Sequence, residues 1–206
     1  MASPLPSPSP LQVAASDRFK HPTYQIRKKI FSLLGHSFHI FDPNGQVVLY
    51  SKMKAFKLKE DIRVYTSEDM QQEVLIIKAR NILDFSATYD VFDAQSQQKI
   101  GALKRKGLKS MLKDEWLFLD SQDQEIGQIE EDNLLMALIR RFASNLIPQH
   151  FHGSINNQPV CAFRQNFNPF VLKVNLDFTP DPSGLLDRRL GLAAAILLCA
   201  IEGRQE

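Results

Sequence analysis

Lys99, Lys104, Arg105, Lys106, Lys109 and Lys113 fall within one short stretch of the chain. Cations this dense suit a partner rich in negative oxygens. Each Lys or Arg held near an anionic bilayer contributes about 1 kcal/mol, and a nucleic-acid backbone would draw on the same charge. The plainer reading is a solvated strand end and loop. An acidic run follows at once: Asp120, Asp123, Glu125, Glu130, Glu131 and Asp132. On neighbouring hairpins the two runs would neutralise one another.

Other chemistry is sparse. His150 and His152 are spaced by two, so on a strand they share a face and could ligate a metal. No Cys, Asp or Glu nearby completes such a set. His36 and His39 lack that spacing and read as surface or turn residues. Asp120-x-Gln122-x-Gln124 lacks the acids and glycine of a calcium loop. Cys161 and Cys199 do not form a disulfide framework, which points to a reducing compartment such as the cytoplasm. There is no GxSxG elbow, no phosphate-cradling glycine loop, no HExxH and no Cys-centred nucleophile setting. The expectation is a protein that is not an enzyme and needs no cofactor or metal.

The bulk numbers agree with an ordinary globular chain. Of 206 residues, 44% are hydrophobic and 23% charged, and the formal net charge is +2. That balance gives no overall bias toward nucleic acid, and none is expected as a partner. Residues 1–18 hold Pro4, Pro6, Pro8 and Pro10 among serines, without an early positive charge or an apolar core. This reads as a disordered tail rather than a secretion signal, leaving residues 19–206 as one domain.

The elements that would carry these residues are mostly strands. Phe38-x-Ile40-x-Asp42, Tyr89-x-Val91-x-Asp93 and Trp116-x-Phe118-x-Asp120 each run into a polar turn. Ile100-Gly101-x-Leu103 and Ile126-Gly127-x-Ile129 are return strands, and Gln46–Tyr50 returns after Asp42-Pro43-Asn44-Gly45. That turn is strongly marked, since Pro sets φ and Asn-Gly tolerates positive φ. A weaker copy joins Gly153–Asn157 to Val160–Phe163. Ile62–Tyr65 and Val74–Ile77 read as further strands, and Phe167–Phe178 as a last strand pair. A lead-in of spaced apolar residues recurs at Phe31 and Leu33, Phe56 and Leu58, Leu83 and Phe85. Leu134–Phe142 has helical composition, with Arg140 and Arg141 at its end, and predicts a short inserted helix over one barrel end or against lipid. Gly101 and Gly127 mark places of close backbone approach, as a central helix lying against a barrel wall would need.

Near the end, Leu190–Ile201 carries no charge and is apolar on every side. Asp187 is placed to cap a helix over about 187–202, with Gly203 as its stop. A helix of that apolar length spans roughly 18 Å, short of the about 30 Å of bilayer hydrocarbon. A helix apolar all round must be surrounded by protein. Repeated hairpins supply the wrapping. The expectation is a closed antiparallel barrel of about twelve strands around a buried C-terminal helix.

This pattern resembles the tubby C-terminal-like superfamily, and within it the LURP-one-related and phospholipid-scramblase-like proteins. The residues that carry it are Tyr24-Gln25-Ile26 with Phe31-Ser32-Leu33, the repeated Asp hairpins, and Asp187 followed by Leu190–Ile201, over about residues 20 to 204. The resemblance implies the same barrel and helix. Tubby-like members bind membrane phosphoinositides through basic residues, and scramblase-like members are linked to calcium and lipid translocation. The latter's dense acidic run before the helix is reduced here to Asp177, Asp181 and Asp187, too few oxygens for a hard cation.

Three functional expectations follow. The first is a non-enzymatic barrel on anionic membrane or lipid headgroups, using Lys99, Lys104, Arg105, Lys106, Lys109 and Lys113, and so cytoplasmic and peripheral. The second is a protein-interaction or regulatory scaffold with a protein partner. The third is a scramblase-like lipid-handling protein. A contiguous basic patch favours the first, and interleaved charges the second.

Overall fold

The computed structural model describes residues 17–29, 36–53, 61–80, 87–106, 115–132, 149–166 and 171–201. Its strands are β1 Thr23–Lys29, β2 His36–Phe41, β3 Val47–Met53, β4 Ile62–Tyr65, β5 Glu73–Ala79 and β6 Thr88–Asp93. They continue as β7 Lys99–Arg105, β8 Glu115–Leu119, β9 Glu125–Glu131, β10 His150–Ile155, β11 Gln158–Asn166 and β12 Val171–Asp177. The helix α1 is Arg188–Ile201.

Each strand pairs antiparallel with its neighbours in sequence, and β1 pairs with β12 to close a twelve-stranded barrel. Closure removes every sheet edge. Strand alternation then sorts side chains in and out. Tyr24, Ile26, Phe38, Ile40, Tyr89, Val91, Trp116 and Phe118 are all buried in one core with the helix. The two spaced hydrophobics of each repeated hairpin are therefore its inward residues.

The repeated aspartate is the turn's own acceptor. Asp42 Oδ1 accepts from Asn44 N at 2.9 Å and Gln46 N at 2.8 Å. Asp120 Oδ1 accepts from Gln122 N and Gln124 N, both at 2.8 Å. Asp93 Oδ1 does the same with Gln95 N and Ser96 N. Such Asx turns satisfy backbone donors that the ladder has left behind. Just before each turn the register shifts, at Ile40/Phe41, Val91/Phe92 and Phe118/Leu119, a bulge that bends the strand toward the turn.

The helix fills the barrel axis. Leu190, Leu192, Ala193, Ala194, Ala195, Ile196, Leu197, Leu198, Cys199 and Ala200 are all buried. Burying its Leu and Ile side chains stabilises by on the order of 10 kcal/mol as a gross upper figure. Asp187 caps it, accepting from Arg189 N at 2.9 Å. Gly101 lets the wall come close, because a Cβ there would stand 2.4 Å from the Leu119 carbonyl and 3.1 Å from Leu190.

Some sequence expectations change. Gly127 does not face the helix; its close neighbours are Ser154 and Ile155 of β10. The Phe167–Phe178 pair contains the single strand β12 among the described residues, since Val171–Asp177 runs unbroken between β11 and β1. The lead-in pairs at Phe31, Phe56 and Leu83, the Leu134–Phe142 segment with Arg140 and Arg141, and Gly203 lie outside the described residues. So do residues 1–16, although Arg18 is tied to the barrel through the Val48 and Thr66 carbonyls.

Candidate functional site

The basic segment divides once folded. On β7 the alternation that buries Leu103 turns Arg105 to the inner face, opposite Trp116. Lys104 and Lys106 remain on the outer side, and both are exposed. Lys104 has no carboxylate partner among the described residues. Lys106 Nζ lies 3.5 Å from Glu115, an ion pair open to solvent on both sides and so weak. Lys109 and Lys113 lie outside the described residues.

Lys99 belongs elsewhere. Its ammonium sits 3.0 Å from Asp90 and 2.6 Å from Asp123, and Arg80 pairs with the same two carboxylates. Lys99 is thus held between hairpins, as the neutralising arrangement of the basic and acidic runs requires. Hydrogen bonds from Lys99 and then Arg80 hold Asp123 below the usual carboxylate range. Burial pushes Asp90 upward, and the bonds from Arg80 and Lys99 outweigh it to leave the carboxyl lowered.

The three acids before the helix do separate jobs. Asp177 accepts from Thr179 N at 2.8 Å. Asp181 accepts from Leu185 N at 2.9 Å and Leu186 N at 3.0 Å. Asp187 holds the Arg189 guanidinium, with contacts at 3.0 and 2.7 Å. Each carboxylate is spent on a turn or a cap, and they do not converge on one point.

His150 and His152 share the outer face of β10, opposite Arg164 and Ala162 of β11. Among the described residues no cluster of His, Cys, Asp or Glu is placed to hold a metal. His39 is half-buried on β2, edge-on to Tyr50, and reaches Glu68 at 3.0 Å. The thiols face inward. Burial raises both, Cys161 above any physiological range and Cys199 to about 12.

Other charged residues were not singled out in the chain because they are scattered along it. Lys28 is 2% exposed and faces inward near Cys199. Arg27, Arg164 and Lys173 come together on the outer wall of β1, β11 and β12. The signal that could have found them is the alternation itself: Tyr24 and Ile26 go in, so Gln25 and Arg27 go out.

No described helix is long and apolar enough to cross a membrane. No curated protein and no solved structure matches the chain. The family model of LURP-one-related proteins matches residues 47–175, more than half of the chain and most of the barrel wall. That family is consistent with the tubby-like and scramblase-like superfamily. With the barrel, its axial helix and this match together, the chain belongs to the LURP-one-related family.

Proposed function

We propose that this protein is a non-enzymatic barrel that associates peripherally with anionic membrane surfaces. The helix occupies the interior, so partners meet the outer wall and the ends. The observation that supports this reading is the outward, exposed Lys104, without a carboxylate partner among the described residues, next to the weakly paired Lys106. From them the chain leads in sequence toward Lys109 and Lys113. Each such cation near an anionic surface would contribute about 1 kcal/mol. Arg105 and Lys99 are left out of the contact, one facing inward and the other held by Asp90 and Asp123.

The test is binding to phosphatidylserine-containing vesicles with Lys104→Glu and Lys106→Glu together. Binding reduced at least about tenfold is expected, as two reversed charges should cost more than 1.4 kcal/mol. Unchanged binding would remove this strand from the contact.

A second reading, a protein-interaction scaffold, is favoured by the ion-pair network of Arg80, Asp90, Lys99 and Asp123. Interleaved charge of this kind suits a patterned protein partner better than a uniform anionic plane.

A further inference from the structure

The outer wall of β11, β12 and β1 carries an arrangement that hairpin and turn chemistry leave unexplained. Arg27 stands directly opposite Lys173, and Asn175 lies between Gln25 and Arg164 in the adjoining row. Like charges directly opposed across a sheet destabilise it. Among the described residues of these three strands, Asp177 is the one carboxylate. It lies one pleat beyond Asn175, with Oδ1 engaged by Thr179 N. On the far side of β1, His39 is opposite Arg27, and its ring is bonded to Glu68.

The hydrogen bonds fix which way each amide points. Arginine can only donate. Arg27 Nε donates to Gln25, so the Gln25 oxygen faces Arg27. The Gln25 nitrogen then faces Asn175, donating to Oδ1 at 2.8 Å. Asn175 is left with its NH2 outward. Asn166 Oδ1 accepts from Lys173 N at 3.0 Å, which leaves its NH2 without a partner among the described residues. Every side-chain amide oxygen in the patch is therefore consumed within the wall. What remains is a set of donors: the Arg27 and Arg164 guanidinium forks, the Lys173 ammonium and two amide NH2 groups.

A surface that only donates suits a ligand that only accepts. The Arg27 guanidinium is also held in place, 4.0 Å over the Phe41 ring, which reduces the entropy lost on binding. Strands stand about 4.8 Å apart, so the cluster covers roughly 10 Å by 7 Å, small for a flat polyanion but suited to one multi-oxygen group. Two guanidinium forks and an ammonium match a tetrahedral phosphate better than a single planar carboxylate.

We propose that Arg27, Lys173, Arg164, Asn166 and Asn175 form a seat for a phosphate group. This site lies apart from Lys104 and Lys106 and goes beyond the membrane reading given for them. The phosphate could belong to a lipid headgroup or to a soluble phosphate ester, and both present the same oxygens.

The test follows amide and side-chain NH2 resonances of the full chain by NMR, as inorganic phosphate or glycerol 3-phosphate is added at constant ionic strength. Saturable shifts at Gln25, Asn166 and Asn175 are expected. Lys173→Gln and Arg27→Gln should each weaken them about tenfold, and Lys104→Gln should leave them unchanged. Among the described residues the Lys173 ammonium has no side-chain hydrogen bond or ion pair to lose, so its variant separates binding from folding. Vesicles of phosphatidylcholine with and without phosphatidic acid form the second arm. Binding to phosphatidic acid that depends on Lys173 assigns the phosphate to a lipid; a response to the soluble probes alone assigns it to a soluble ester. No shift from any probe, shifts that chloride reproduces, or responses unaffected by Lys173→Gln and Arg27→Gln would overturn the proposal.

Discussion

Arg189 Nη1 donates to Asp93 Oδ2 at 2.9 Å, joining the first turn of the helix to a hairpin turn 96 residues earlier. The other oxygen of the same carboxylate holds that turn through Gln95 N and Ser96 N. One side chain thus shapes a hairpin and receives the helix, after which the helix runs up the barrel axis. Arg188 secures the same end, donating to the Asp181 carbonyl at 2.8 Å and lying 4.4 Å over Phe178.

Asp93→Ala should cost about 2 kcal/mol, since hydrogen bonds to a charged group are worth about 1.5–3 kcal/mol and several are lost. Asp93→Asn keeps an acceptor for the turn and should cost less. Urea unfolding midpoints measure both. A double cycle with Arg189→Ala should give a coupling of about 0.5 kcal/mol or more. Additive costs would mean that the helix and the hairpin are not linked through this pair.

Acid should weaken the fold through these carboxylates. Burial raises Asp93, but the Ser96 N–H and hydroxyl, Arg189 and the Gln95 N–H together hold it below its ordinary value of 3.8. Asp181 behaves likewise, with burial outweighed first by the Leu186 and Leu185 N–H groups. A lowered carboxylate gives full stability above its unfolded value and loses it as the pH falls through its folded value. Thermal midpoints should therefore be insensitive to these groups above about pH 5 and should fall below about pH 4. A midpoint that rises on acidification in that window would contradict the assignment.

Gly153 and Cys161 face each other across β10 and β11, and a Cβ on Gly153 would sit 2.4 Å from the Cys161 sulfur. Gly153→Ala should cost about 1–3 kcal/mol through overpacking. Cys161→Ala leaves a small space and should cost about 1 kcal/mol. The double variant should lose less than the sum, because the new methyl takes the room the sulfur leaves. Strict additivity in thermal unfolding would place the strain elsewhere.

The fold was legible because inward and outward duties are written residue by residue. Phe38, Ile40 and Asp42 announce two core positions and a turn, and the same trio returns at Tyr89, Val91 and Asp93. An apolar stretch too short to span a bilayer could only be wrapped. The basic segment was harder to read. Lys99 and Lys104 look alike in the chain, yet the bulge at Val91/Phe92 and the pairing of β6 with β7 bring Lys99 beside Asp90 and leave Lys104 exposed. Arg105 sits between two outward lysines, and a one-residue step on a strand turns it inward. Arg164 and Lys173 meet on the consecutive strands β11 and β12, but Arg27 lies far from them in sequence and joins them only when β1 closes on β12.

The most direct measurement is sedimentation of the full chain with vesicles of phosphatidylserine and phosphatidylcholine, against phosphatidylcholine alone, at low and physiological salt. Binding to the anionic vesicles only, weakened as salt rises, is the expected result, because screening shortens the reach of surface charge. No binding to anionic vesicles at low salt, or equal binding to both kinds, would contradict a barrel that meets membranes through its cations.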